Sequence, residues 1–468
     1  MSRLIVVSNR VADLRKGRAQ SGGLAVALAD VLGESGGVWV GGEAGSGEGT
    51  RRERAGSITC LYVGVPAVEY DRYYLGYSNS VLWPLFHYRA DLVDYRSDHF
   101  DAYLAVNRRF AAALRDVAEP DDLVWVHDYQ LMPAAAFLRE AGWTGRMGFF
   151  LHIPFPPPEI LAATPNHAFI VSSLLAHDVV GFQTTTDLGN FLRCVREYGL
   201  GEVTGDDTVV VDGRTVVARR FPIGIDVDGF AQLAGSASED IRIDRMRRDI
   251  LGRRQAIGVD RLDYSKGLPA RFEAFGRLLA EHPELERMVS LVQIAPPTRQ
   301  DIAAYADIRA ELEKLSGAVN GRFAEFDWTP IKYIHRAVPR DKLAALLRSS
   351  EVGLVTPLRD GMNLVAKEYV AAQDSENPGV LVLSQFAGAA EELTDALLVN
   401  PYDTEAMAQV LYRALTMPAA ERRERHGKLL AAVRASDVSI WRDRFLAALR
   451  GRPRVVDSSA GPVASSAA

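Results

Sequence analysis

Short apolar runs alternate along this chain with longer stretches whose apolar residues recur every three or four positions. The runs are "LIVVS" (4–8), "LVWVH" (123–127), "MGFFLH" (147–152), "VVGFQ" (179–183), "QAIGV" (255–259), "VSLVQIA" (289–295), "VGLVTP" (352–357), "GVLVLS" (379–384) and "ALLVNP" (396–401). Runs without polar alternation are strands covered on both faces, and helical stretches between them make the sheets parallel. So many strands, with a hairpin-like pair near 208–222, exceed one doubly wound sheet and predict two α/β domains. The break falls at "RRFPIGIDVDGF" (219–230), where a strand ends in Pro-Ile-Gly ahead of the polar "AGSASED". The expected division is therefore 1–223 and 224–455. An amphipathic helix over 437–451 has no strand after it and could pack back on the first domain. Residues 456–468 are small and polar, which predicts a disordered tail.

Composition changes this picture little. With 48% hydrophobic and 24% charged residues, a chain of 468 has enough apolar material for a core in each domain. A net charge of −6 without a long basic run argues against a general nucleic-acid or anionic-membrane surface, yet allows a local cationic pocket. Cys60 and Cys194 are too few for a disulfide framework or a zinc motif, and fit a reducing cytosol. "MSRLIVVSNR" reads as a strand rather than a signal peptide, and no apolar stretch has the length of a transmembrane helix. The expectation is a soluble cytoplasmic protein.

In open parallel sheets ligands bind beyond the carboxyl ends of the strands. There the polar residues gather. "HDYQ" (127–130) follows "LVWV", "HIPFPPPE" (152–159) follows "GFFL", and "DRLDYSKG" (260–267) follows "AIGV". "PPTRQD" (296–301) follows "LVQIA", and "PLRDGMN" (357–363) follows "GLVT". Clusters drawn from both halves point to a ligand in a cleft between two sheets.

Each cluster also has a plainer reading. Arg261 and Lys266 could be solvated loop charges paired with Asp260 and Asp263. Yet "DYSKGLPARF" opens a helix, with Ser265 as a candidate N-cap and Pro269 in the first turn. Helix amides beside a Lys and an Arg suit a diphosphate. Gly22-Gly23 ahead of a helix would let backbone amides approach a phosphate, or simply make a turn. Arg299, stiffened by two prolines, is either a ligand contact or an exposed arginine. His127 and His152 each read alone as core histidines, and Asp128 as a helix cap. The aromatic stretch "YDRYYLGYSNSVLWPLFHY" (70–88) reads as core, although its mix of Tyr, Trp, Asn and His suits a sugar site. "DVD" (226–228) has the form of a metal-binding Asp-x-Asp, but reads better as a turn and helix start. Arg359 and Lys367, in and after "PLRDGMN", read as structural ion pairs.

Taken together, the motifs resemble the trehalose-6-phosphate synthase family. The resemblance rests on "SNR" (8–10), "SGGLAVAL" (21–28), "YYLGYSNSVLWPLFHY" (73–88), "VWVHDYQLMP" (124–133) and "GFFLHIPFPPPEI" (148–160). It continues through "DRLDYSKGLPARF" (260–272), "QIAPPTRQD" (293–301), "TPLRDGMNLVAKEYVAAQ" (356–373) and "PGVLVLSQFAGAAEEL" (378–393), spanning roughly residues 3–450. It implies the GT-B fold, two Rossmann-like domains whose parallel sheets face across a cleft. The implied reaction moves glucose from a nucleotide-glucose to glucose 6-phosphate with retention, giving α,α-trehalose 6-phosphate. UDP-glucose is the first choice of donor, with GDP- or ADP-glucose open.

Residue by residue, the resemblance implies Arg261 and Lys266 on the donor diphosphate, helped by an amide of Gly23. Glu368 would accept from the ribose hydroxyls. Asp360, with the amides of Gly361, Met362 and Asn363, would hold the transferred glucose, and Leu364 and Val365 would add amides near the diphosphate. His152 would meet the sugar 6-hydroxyl. Arg10, Tyr74 and Arg299 would clamp the acceptor phosphate, while Trp83 and Asp128 position the acceptor sugar. Base contacts would be largely backbone, near Ile294 and residues 335–343. The catalytic set implied is Arg261, Lys266, Asp128 and His152. It works by a same-face substitution in which the leaving phosphate takes the acceptor proton, so neither a metal nor a cofactor is called for.

One departure is visible. The family often shows "WxGWSG", whereas this chain has "VWVGGEAGSGEG" (38–49), with Gly42 in place of the second tryptophan and a Gly-rich loop expected after it. Competing readings are a transferase acting on a cyclitol phosphate, a non-catalytic sugar-phosphate sensor, and a phosphorylase needing pyridoxal phosphate, which a colourless protein would exclude. No phosphatase domain is expected after the transferase. A homo-oligomer is compatible with the sequence, which does not fix the oligomeric state.

Overall fold

The computed structural model describes residues 3–12, 28, 32–33, 36–237, 253–299 and 302–451. Gly22, Gly23 and the tail at 456–468 lie outside them. In chain order the strands of the larger sheet are β1 (Leu4–Val7), β2 (Gly37–Ala44), β3 (Thr50–Ala55), β4 (Ile58–Val65), β5 (Leu123–His127), β6 (Met147–Phe150), β7 (Val179–Phe182), β8 (Glu202–Thr204), β9 (Thr208–Val211) and β10 (Arg214–Arg220). Those of the smaller sheet are β11 (Arg254–Val259), β12 (Val289–Ile294), β13 (Ile331–Ile334), β14 (Val352–Val355), β15 (Val380–Ser384) and β16 (Leu397–Val399).

The larger sheet has ten strands in the order β3-β4-β2-β1-β5-β6-β7-β10-β9-β8, and the smaller has six in the order β13-β12-β11-β14-β15-β16. The smaller is parallel throughout. The larger is parallel except at its margins, where β3 opposes β4, and β9 opposes both β10 and β8. The unbroken runs behave as their pattern requires. "LVWVH" and "VGLV" are buried at every position, as strands with helices on both faces must be.

The Gly-rich loop expected after Gly42 is present at 45–49, between β2 and β3, but the strand before it runs on through Gly42 to Ala44. Gly41 and Gly42 both lie in β2 and pair with Tyr62 and Val63 of β4. A Cβ on Gly41 would meet the amide nitrogen of Val11 at 2.5 Å, so the chain leaving β1 crosses directly over this strand. Glycine here serves close packing of two backbones rather than a flexible turn. β3, "TRRERA", has hardly any apolar residue because it is an exposed edge, which is why periodicity does not find it.

Helix Val438–Leu449 lies against the larger sheet. Trp441 stacks near Trp125 and Phe150, and Phe445 packs on Trp125, Phe150 and Phe221. Gly148 of β6 and Gly181 of β7 make room for that ring, since a Cβ on either would lie 2.7 or 2.9 Å from it. Arg146 Nε donates to the Leu449 carbonyl at 3.0 Å and fixes the helix end. Among the described residues no helix is long and apolar enough to cross a membrane.

Candidate active site

Among the central parallel strands of each sheet the order reverses, between β1 and β5 and between β11 and β14. Reversal sends successive helices to opposite faces and leaves a crevice at the carboxyl ends of those strands. Arg10 follows β1, Asp128 follows β5, Arg261 and Lys266 follow β11, and Asp360 follows β14. Arg299, from the loop after β12, reaches across to the first sheet, where Nη2 donates to the Tyr129 hydroxyl at 3.1 Å. The two crevices face each other.

The turn after β14 is built by contact with the opposite sheet. A Cβ on Gly361 would lie 2.2 Å from the His152 carbonyl oxygen, so only glycine lets the turn touch that backbone. Asn363 adopts φ 74° and starts helix Leu364–Ala372, whose first-turn amides at Leu364 and Val365 lack intrahelical partners. Lys266 Nζ donates to Asp360 at 2.5 Å, and Asn363 Nδ2 donates to the same carboxylate at 3.0 Å. Burial opposes ionisation of Asp360, but Lys266 prevails and holds the carboxyl below its ordinary range. Met362 is buried, and its carbonyl receives the Ala389 amide at 2.9 Å.

The loop after β11 corrects two expectations. Ser265 does not cap the helix but lies in a short turn, Tyr264–Lys266, that Asp263 caps: its Oδ1 accepts from the Ser265 amide at 3.0 Å and hydroxyl at 2.9 Å. Gly267, at φ 65°, then opens helix Leu268–Glu281 with Pro269 in its first turn. Nor, among the described residues, does Asp260 or Asp263 form an ion pair with Arg261 or Lys266. Asp260 pairs with Arg271 at 2.6 Å, and Asp263 accepts from the Tyr305 hydroxyl at 3.0 Å beside Arg299.

Beside Lys266 lies a cluster of cations on aromatic rings. Arg299 is buried: Nη1 donates to the Tyr305 hydroxyl at 2.6 Å, and its guanidinium sits 3.9 Å from the Trp83 ring centroid. Arg261 approaches the same ring at 5.3 Å. Arg10 donates to the Tyr70 hydroxyl and lies 5.1 Å from the Tyr74 ring. Burial pushes the Tyr74 phenol up, yet Arg299, Arg10 and Arg261 together hold it below its ordinary range. Among the described residues neither Arg10 nor Arg261 has a carboxylate partner. Three arginines beside a single paired carboxylate, Asp263 on Arg299, leave an excess of positive charge that suits an anion.

Asp128 and His152 stand between the cation cluster and the Asp360 turn. Asp128 takes φ 75°, and its Oδ1 accepts the His152 amide at 3.3 Å. Burial pushes its carboxyl up to about 6, against the amides of His152 and Tyr129. Burial pushes the His152 imidazole down to about 3, so the ring is neutral. Glu368, half-buried on the helix after the turn, is pushed up to about 7 by burial, only partly offset by Arg340. The Ile294 side chain is buried, and its carbonyl receives the Asp260 amide at 3.1 Å.

The aromatic stretch divides between both readings. Tyr73, Tyr77 and Phe86 are core, whereas Tyr74 and Trp83 line the cluster. Lys367 is a structural ion pair, bound to Glu392 at 2.7 Å and the Ile223 carbonyl at 2.8 Å. Arg359 has no ion pair among the described residues and lies 3.7 Å from the Tyr88 ring centroid. "DVD" starts a helix, with Asp226 accepting the Gly229 amide at 2.9 Å. One residue of the aromatic stretch carries no role of its own in the sequence reading. His87 stacks 4.2 Å from Trp83 and donates Nδ1–H to the Trp83 carbonyl at 2.7 Å. It is the histidine of the mixed aromatic stretch, one helical turn beyond Trp83.

The sequence of residues 3–451 matches glycosyltransferase family 20. The chain is a member of that family. It is 45% identical over 453 residues to the trehalose-6-phosphate synthase of Cronobacter sakazakii, covering 96% of this chain and 95% of that one. An alpha,alpha-trehalose-phosphate synthase (UDP-forming) from Burkholderia xenovorans, solved in complex with glucose-6-phosphate, superposes with a TM-score of 0.91 at 49% identity, covering 96% of this chain and 100% of that one. An E. coli structure, described as trehalose-6-phosphate bound with UDP-2-fluoro glucose, gives a TM-score of 0.91 at 43% identity over 96% and 99% of the two chains. The family 20 chain is thus a glycosyltransferase with the GT-B arrangement of facing Rossmann-like sheets.

Proposed function

We propose that this glycosyltransferase moves glucose from UDP-glucose to glucose 6-phosphate, with retention and without a metal, giving α,α-trehalose 6-phosphate. The observation that carries the reading is the pairing of two anion-ready groups at one cleft. Arg10, Arg261 and Arg299 surround Tyr74 and Trp83, and Lys266 stands on Asp360 opposite them. A sugar phosphate and a nucleotide diphosphate together need such a pair of sites; a single-substrate enzyme does not. The glucose-6-phosphate and UDP-2-fluoro glucose complexes of its relatives support the same two occupants. We assign residues 1–223 to the acceptor side and 224–455 to the donor side.

In this reading Arg10, Tyr74 and Arg299 grip the acceptor phosphate, and Trp83 and Asp128 orient its sugar. Lys266 reaches both the Asp360 carboxylate, which holds glucose hydroxyls with the Gly361 to Asn363 amides, and the diphosphate, which Arg261 and the amides of Leu364 and Val365 also meet. Charge grows on the leaving diphosphate as the glycosidic bond breaks, and fixed cations there lower the barrier. The departing phosphate oxygen takes the proton of the attacking hydroxyl on the same face of the sugar. Orientation of both sugars supplies much of the remainder.

Two measurements test this. Glucose 6-phosphate supplied in turn with UDP-, GDP- and ADP-glucose should release nucleotide and form trehalose 6-phosphate fastest with UDP-glucose, unchanged by a chelator. Nucleotide release independent of glucose 6-phosphate would overturn the acceptor assignment. The second concerns pH. Glu368 is pushed up to about 7, and only its ionised form accepts two ribose hydroxyls, so donor binding draws on the population above that value. kcat/KM for the donor is expected to rise with pH through a limb near there. Glu368→Gln should abolish the limb and lower kcat/KM most on the alkaline side; an unchanged limb assigns it to another group.

A further inference from the structure

His127 ends β5 on the face that carries Trp125, and its ring is fully buried. Trp125, Phe150 and Trp441 box it in, with centroids 4.6, 6.5 and 6.4 Å away. One ring nitrogen, Nδ1, meets Nε2 of His152 at 3.1 Å. The other, Nε2, is buried without a partner among the described residues. Burial lowers both imidazoles well below their ordinary range, so both rings are neutral. A hydrogen bond between neutral imidazoles needs one N–H and one lone pair, which leaves only two arrangements.

In the first, His127 carries its proton on Nε2 and accepts at Nδ1 from His152. That arrangement buries an N–H with nothing to receive it. The box makes matters worse, because its own unpartnered polar atoms are the indole Nε1–H groups of Trp125 and Trp441, both donors. In the second, His127 carries its proton on Nδ1 and donates to His152, and its Nε2 is a lone pair in a box whose unpartnered polar atoms are donors. Orphaned buried N–H groups are rarer than under-satisfied acceptors, and here the surroundings match a lone pair. We propose that His127 is a positioning residue, which donates Nδ1–H to Nε2 of His152 and so fixes His152 as the Nδ1–H tautomer.

The consequence reaches the cleft. His152 is only half-buried, and its Nδ1 makes no hydrogen bond within the described residues. Its N–H is therefore a neutral donor for an oxygen of the donor sugar, and the hydroxyl that receives it keeps its own proton for another acceptor. This sugar-facing half rests on the donor-site reading above; the tautomer does not. Because the backbone of His152 is held by Asp128 and pressed by Gly361, the ring orientation is the remaining freedom, and His127 removes it.

The tautomer is readable in the wild-type protein without substrate, by 15N-histidine labelling and long-range proton–nitrogen correlation. Signals are assigned by their loss in His127→Asn and His152→Asn. Both histidines are expected as Nδ1–H; a His152 resonance of the Nε2–H form overturns the proposal. Kinetics give the second readout. Outer partners that orient a functional histidine are worth on the order of 10- to 100-fold where measured at metal sites. His127→Phe, which cannot donate, should raise donor KM by about tenfold with acceptor KM unchanged. His127→Asn, whose amide N–H can donate from near the Nδ1 position, should recover most of that. Equal effects of Phe and Asn in variants that melt normally overturn the positioning role. An unchanged donor KM in His152→Asn overturns the sugar-facing half, with the tautomer still measured independently.

Discussion

Replacing Arg261 with alanine is expected to lower kcat by about 10²- to 10³-fold, on the order of 3–4 kcal/mol of transition-state stabilisation, while leaving thermal unfolding unchanged. The two halves of that expectation have separate causes. Arg261 is exposed, touches the Trp83 ring at 5.3 Å, and has no carboxylate partner among the described residues, so the folded chain loses little without it. Its work begins when the leaving diphosphate gains charge, and a cation useful only then shows in kcat rather than in stability. Lys266 makes a poorer test. Removing it strips Asp360 of its 2.5 Å partner and leaves a buried carboxylate, so lost rate and lost order cannot be separated. Arg261→Lys should recover only part of the rate, because an ammonium lacks the planar fork that spans two phosphate oxygens. Turnover within a few-fold of wild type in a folded Arg261→Ala protein would remove Arg261 from the diphosphate site.

The sequence made the strand ends legible because parallel strands buried on both faces read as unbroken apolar runs, and the residues after them must be polar to meet solvent or ligand. Arg261, Lys266, Asp360 and Asp128 were found that way, by position rather than by type. Pairing was illegible. Nothing in "DRLDYSKG" says that Asp260 turns inward to Arg271 while Lys266 crosses to Asp360, since those partners lie 11 and 94 residues away. Arg299 illustrates the same limit: loop arginines are usually exposed, and only the fold reveals Tyr305, Tyr129 and Trp83 closing around this one. β2 was hidden for the opposite reason. Its glycines are a packing requirement imposed by residues 10 and 11, which local propensity reads as a loop.

Arg271→Met is expected to cost about 3–5 kcal/mol, the penalty for stranding the partner of a buried ion pair. Its side chain is 1% exposed, and Asp260 is 2% exposed. Nη1 donates to Asp260 at 2.6 Å and to Gln293 at 2.7 Å, and Nε donates to the Thr356 hydroxyl at 3.0 Å. Those acceptors stand at the ends of β11, β12 and β14, immediately before the loops that carry Arg261 and Lys266, Arg299, and Asp360. Gly258 makes the space, because a Cβ there would lie 2.3 Å from Nη1. One guanidinium therefore sets the spacing of three site loops, although it touches no substrate in the proposed reading. The variant should melt earlier and lose donor affinity together. Asp260→Asn combined with Arg271→Met should recover part of the stability, since the stranded charge is gone, but not the donor KM, since the loops still lack their common anchor. A stability loss with wild-type kinetics would reduce Arg271 to a core cation of the second sheet.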